Sequence, residues 1–168
     1  PAFTGTTEGN AQITIYDNGK QIGQVTADGA GLWSYTPAAL AEGSHSFTFT
    51  ATDAVGNVGP ASPPYVLVVD LTPPAAPAIT QAVDDFGTIQ GPLGTGQLTD
   101  DAQPLLKGTS EPLATVNVYD GGSLIGTANA DINGNWSLQL SSNLSETTHS
   151  FTARAVDAAG NISDPSAP

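Results

Sequence analysis

A chain of 168 residues with 16 acidic and only three basic side chains carries a net charge of −13. That balance excludes the basic footprint nucleic acid demands and disfavours an anionic membrane surface. Without cysteine or methionine, the chain has no disulfide, no thiolate metal site and no thiol nucleophile.

Hydrophobic residues make up 39% and aromatics 7%, with 19 Gly and 13 Pro, a composition for small cores joined by turns. No window holds apolar residues at the i, i+3, i+4, i+7 spacing of an amphipathic helix. No apolar run is long enough to span a membrane, and no signal peptide is visible. The chain opens in mid-pattern and is expected to come from a longer parent.

In chain order, the first signposts are Gly5-Thr6, Tyr16-Asp17, Ile22-Gly23, Ala27-Asp28 and Trp33-Ser34. His45-Ser46-Phe47-Thr48, Asp53-Ala54 and Gly56-Asn57 follow. All recur after a shift of 103 residues, which becomes 104 past a one-residue insertion. Residues 1–62 thereby match 104–166 at 27 of 62 positions. One module has been duplicated. Asp17-Asn18-Gly19 supplies the positive-φ residues of a type I′ hairpin, and Asp120-Gly121-Gly122 repeats it.

After the first copy, Tyr65-Val66-Leu67-Val68-Val69 is a continuous, β-branched run that predicts a strand. Asp70-Leu71-Thr72-Pro73-Pro74 follows, with Pro77 beyond, and these prolines make a short, stiff linker. The boundaries are therefore 1–71 for a first module lacking its first strand and 72–168 for a second lacking its last. Residues 75–103 have no counterpart in the first copy, and the run 65–69 has none in the second. Each module is expected to expose a sheet edge.

The second module begins with a strand over 78–83. A Gly-rich loop bearing Asp84-Asp85 and Asp100-Asp101 comes next. Strands are predicted over 104–110, over 114–120 with Val116 and Val118 facing inward, and over 124–130. Asp131-Ile132-Asn133-Gly134 turns the chain into a strand around Trp136. A last strand over 149–156 places Phe151, Ala153 and Ala155 on one face. About seven strands with turns every 8–12 residues predict an all-β fold of tandem Ig-like or fibronectin III-like sandwiches. The tryptophan is not on the strand that antibody domains use, and there is no cysteine pair.

The run Thr115-Val-Asn-Val-Tyr-Asp-Gly-Gly122, then Ala130-Asp131, Gly134-Asn-Trp-Ser137, His149-Ser-Phe-Thr-Ala153 and Asp157-Ala-Ala-Gly-Asn161, resembles the bacterial Ig-like repeat. Such repeats are arrayed in giant surface adhesins, including Bap-type biofilm-associated and type I-secreted adhesins. The resemblance spans both modules. It implies a secreted, extracellular, cell-surface stalk or adhesive array with calcium commonly bound near domain junctions. Its partners would be neighbouring repeats of the same chain and a host or biofilm-matrix surface. Copy one departs from the pattern at Gly29-Ala30-Gly31-Leu32.

Calcium takes six to eight oxygen ligands at about 2.3–2.6 Å. One candidate set is Asp70 with Glu111, Asp131 (or Asn133), Asp157 and Asn161, gathered by loops at one pole of the second module. Asp53 and Asn57 are its first-module equivalents. A second candidate is Asp84, Asp85, Asp100 and Asp101, which would repel one another without a cation. The competing reading is that these residues cap turns or form a solvated acidic loop. EF-hand spacing is absent. His45 and His149 are expected to be half-buried corner residues bonded to backbone, and Trp33 and Trp136 to be core. No catalytic constellation is present, so the expected function is a calcium-stiffened adhesin repeat rather than an enzyme. A carbohydrate-binding accessory module of a secreted enzyme is the alternative, and exposed coplanar aromatics would favour it.

Overall fold

The computed structural model describes residues 1–88 and 90–168. Ile89, within the Gly-rich loop, lies outside them. Among the described residues there is no helix, and strand alternation accounts for the architecture. The chain divides into two compact units, Pro1–Asp70 and Leu71–Pro168.

In the first unit the strands are β1 (Phe3–Thr6), β2 (Gln12–Asp17), β3 (Lys20–Thr26), β4 (Leu32–Tyr35), β5 (Gly43–Thr52) and β6 (Tyr65–Val69). Sheet β3-β2-β5-β6 and the pair β1-β4 are its two layers. In the second unit they are β7 (Ala78–Asp84), β8 (Gly91–Leu93), β9 (Leu105–Thr109), β10 (Thr115–Asp120), β11 (Ser123–Asn129), β12 (Asn135–Gln139) and β13 (Phe151–Val156). Here the sheets are β12-β9-β7-β8 and β11-β10-β13. Every pairing is antiparallel.

Period-two alternation sends every second side chain inward. Val116, Val118, Ala153 and Ala155 are fully buried. With Leu106, Trp136 and Leu140 they form the second core, and Ile79 and Ala82 of β7 pack against it. In the first unit Ile13, Ile15 and Ala27 are buried, with Trp33, Tyr35 and Phe49 around them. The hairpin turns have the positive φ the sequence requires: 49° and 79° at Asn18-Gly19, 53° and 90° at Gly121-Gly122.

Two elements differ from expectation. The Gly-rich loop contains β8, a short strand on the free edge of β7. An edge tolerates Pro92, whose missing N–H would break an interior ladder. The last strand starts at Phe151, two residues later than predicted. Its counterpart β5 is ten residues long, and the residues Gly43–Phe47 are paired to β6. The second unit has no strand equivalent to β6, so residues 147–150 lack that partner and stay outside the sheet.

Candidate functional site

Strand direction decides which loops meet. Thr115 pairs with both Asn129 and Val156, so the turns after β9, β11 and β13 emerge at one end of the second unit. Glu111, Asp131, Asp157 and Asn161 therefore share that end. Asp70 follows β6 in the first unit.

Each loop aspartate is occupied by its own turn. Asp157 Oδ1 accepts the N–H groups of Ala159 and Asn161 at 2.9 and 2.8 Å, and its Oδ2 accepts Asn161 Nδ2 at 2.8 Å. Asp53 does the same with Val55 and Asn57 at 3.0, 2.8 and 2.8 Å. Asp131 takes Asn133 and Asn135 N–H at 2.8 and 2.9 Å. Asp28 takes Ala30 and Leu32, both at 2.9 Å. The departure at Gly29–Leu32 therefore keeps the backbone turn and loses only the amide side chain.

Hydrogen bonds to a carboxylate favour its ionised form. The Asn161 side chain holds Asp157 below the usual carboxylate range, and the Asn57 side chain does so for Asp53. For Asp131 the Asn135 backbone N–H is the main cause. Glu111 lies beside this cluster in the turn between β9 and β10, where Ala114 N–H bonds its carbonyl.

The second acidic group is built differently. Asp84 ends β7 and Asp101 precedes β9, and both are buried. The Thr99 hydroxyl donates to Asp84 Oδ2 at 2.6 Å and accepts from Asp101 N–H at 3.0 Å. Asp101 also accepts from the backbone of Asp85 and Gln103, at 3.2 and 2.7 Å, and Asp84 from Phe86. The loop thus folds around two carboxylates, and Asp100 packs against Gly87. Asp85 and Asp100 are exposed. Carboxylate and hydroxyl oxygens suit a hard cation such as calcium, although each carboxylate already accepts N–H or O–H groups. Among the described residues no three His, Asp or Glu side chains converge as a preformed metal group.

Sequence reasoning missed a His–Asp pair in each unit. Nδ1 of His45 lies 2.6 Å from Asp17 Oδ2, and its Nε2 lies 2.9 Å from the Ala41 carbonyl oxygen. His149 repeats this with Asp120 at 2.6 Å and Ser145 at 2.9 Å. A carboxylate and a carbonyl are both pure acceptors, so only the imidazolium, with two N–H donors, satisfies both. The backbone carbonyl and then the aspartate accordingly hold both histidines above their ordinary value. The joint recurrence of Tyr-Asp and His-Ser-Phe-Thr in both copies was the available signal. Each imidazole stacks on the next Phe of its strand, at interplanar angles of 13° and 10°.

The tryptophans are structural. Trp136 is 3% exposed in the core. Trp33 is half-buried and tilts at 43° against Phe49, so the two do not make an exposed coplanar surface.

The family model for the bacterial Ig-like domain matches residues 1–71 and 76–167. Among solved structures, the fold resembles the fibronectin(III)-like modules of Clostridium thermocellum CbhA. That match has 15% identity and a TM-score of 0.53, over 98% of this chain and 81% of that one. A biofilm-associated protein's BSP domain aligns at 19% identity and a TM-score of 0.39, over 98% of this chain and 26% of that one. No curated protein matches the chain.

Proposed function

Because the chain belongs to the bacterial Ig-like domain family, twice over, we propose that it is a stretch of a tandem-repeat adhesin. In this reading it works outside the cell as a non-catalytic spacer that holds an attachment surface away from its anchor. One observation carries it: two successive units build the same strand order and the same Asp-capped turns. Repetition without divergence of a cleft fits a spacer better than an enzyme, whose site would distinguish one copy from the other. The core position of Trp136 counts against a sugar-stacking face.

Calcium is the proposed stiffener. A net charge of −13 repels the folded chain from itself, and bound divalent cations relieve that repulsion. Asp84 and Asp101, with Thr99, are the best-supported ligands, because these buried oxygens already converge. The loop set of Asp53 and Asn57, and of Glu111, Asp131, Asp157 and Asn161, is the second proposed source, with Asp70 as a further oxygen donor.

Thermal melts in chelator and in millimolar calcium test the calcium part. At one to ten times Kd, each site contributes about 0.4–1.4 kcal/mol, and the melting temperature should rise accordingly. Asp84→Asn should abolish the rise if the buried loop is the site. Identical melts in both buffers would overturn calcium stiffening.

A further inference from the structure

The two units share their strands but not their edges. In the second, β9 lies between β12 and β7. Its Thr109, Gly108 and Leu106 pair with Ala78, Ile79 and Ala82. Ile79 and Ala82 then pack on Leu106 and Trp136. In the first unit β1 stands in β9's place and β4 in β12's, yet β1 pairs with β4 alone. Where β7 would lie, there is instead a groove of about 350 Å³ lined by Phe3, Thr4, Trp33, Phe49, Tyr65 and Leu67.

We propose that this groove is a strand-acceptor site. Its occupant is an extended segment of β7's pattern, supplied by an adjoining repeat of the same protein. The incoming strand pairs antiparallel with Phe3–Thr6 and seats a side chain equivalent to Ile79 against Trp33 and Phe3.

The second unit specifies that occupant, since it fills the same position in the same fold. A glycine supports it independently. A Cβ on Gly108 would run into the carbonyl oxygen of Ala78 and into the Trp136 ring. Gly5 keeps the same bare backbone opposite Trp33, leaving room for an approaching carbonyl. Charge agrees as well: residues 78–83 carry none, so such a strand meets no repulsion from a −13 protein. Main-chain hydrogen bonds along an open edge give affinity, and alternate side chains in pockets give register. The proposal rests on the tandem-repeat part of the function above and is independent of calcium.

The test is titration of a synthetic peptide, Pro77-Ala-Ile-Thr-Gln-Ala-Val83, into the full chain. Tryptophan emission should shift to the blue and saturate, because Trp33 becomes buried while Trp136 already is. Amide exchange at Phe3–Thr6 should slow in parallel, a readout that does not depend on any variant folding. Trp33→Phe, its fold checked by circular dichroism, should lose the emission shift and keep the exchange protection. A peptide carrying Ile79→Asp should bind at least about tenfold more weakly, the loss expected when an apolar anchor no longer enters its pocket. Three results would overturn the proposal. The first is no saturation by roughly 1 mM peptide, the limit of weak binding. The second is equal binding of the Ile79→Asp peptide. The third is sedimentation showing a dimer that the peptide cannot disperse, which would make the groove a contact between whole copies. A calcium-independent melt would leave this proposal standing.

Discussion

The same tryptophan, in the same strand of the same module, is 3% exposed in one unit and half-buried in the other. A parallel difference runs the other way on the opposite sheet. Phe47 is fully buried beneath a ten-residue β5, whereas Phe151 is half-buried on a six-residue β13. The residues around each pair are closely matched. What changes is one neighbouring strand: β7 covers Trp136, and β6 extends β5. Strand length and burial in this fold are properties of the neighbour as much as of the segment, which is why β-propensity transfers so poorly between contexts.

Substitutions can sharpen this contrast. The largest effect should come from Trp136→Ala, at about 3–5 kcal/mol for removing a buried large aromatic. Trp33→Ala should cost clearly less, because its ring already keeps part of its surface in water. Denaturant unfolding of each variant measures both, and equal losses would remove the missing strand as the cause. Next comes Gly108→Ala, expected to cost about 1–3 kcal/mol through overpacking, since the Ala78 backbone and a buried ring both block the new methyl group. Gly5→Ala should cost less, as a half-buried Trp33 can shift outward. A reversed order would mean that β7 yields more easily than a side chain does.

The smallest effect is one the two units should share. His45 and His149 have folded values raised above 6.5, so the native state binds these protons more tightly than the unfolded chain. The stabilisation is complete below about pH 6.5 and is lost as pH rises through the raised values. The melting temperature should therefore fall between about pH 6 and pH 8, and the double variant His45→Gln, His149→Gln should flatten that slope. The Asp53, Asp131 and Asp157 caps have the opposite sign. Their lowered values make stability present above about pH 3.8 and lost as pH falls further. A melt that rises from pH 6 to pH 8 would contradict the histidine geometry.

Much of this architecture was legible in the sequence, because it rests on short-range rules. Alternation at Val116 and Val118 placed a strand and its inner face, and Asn18-Gly19 fixed a turn. The Asp-x-x-Gly-Asn loops announced themselves as caps, since aspartate bonds its own turn within four residues. Longer-range features were hidden. Asp17 meets His45 across 28 residues, and no local pattern marks such a pair. Asp84 and Asp101 read as a solvated acidic loop because nothing nearby in the sequence shows that Thr99 draws both inward. The short β8 was missed because Gly91-Pro92 is poor strand sequence, acceptable only at an edge.

The parity of the strand count has a consequence for reach. From β1 to β6 the first unit has six antiparallel strands, and its path starts beside Tyr35 and returns to end beside Gly43. An even number of passes brings a chain back to the pole it left. One further strand of β7's kind makes the number odd, and the path then enters at one pole and leaves at the other. A string of odd-pass beads gains about one bead's height per repeat, while even-pass beads would double back like a folded ruler. Length per residue, the quantity a surface tether needs, therefore turns on a strand of seven residues.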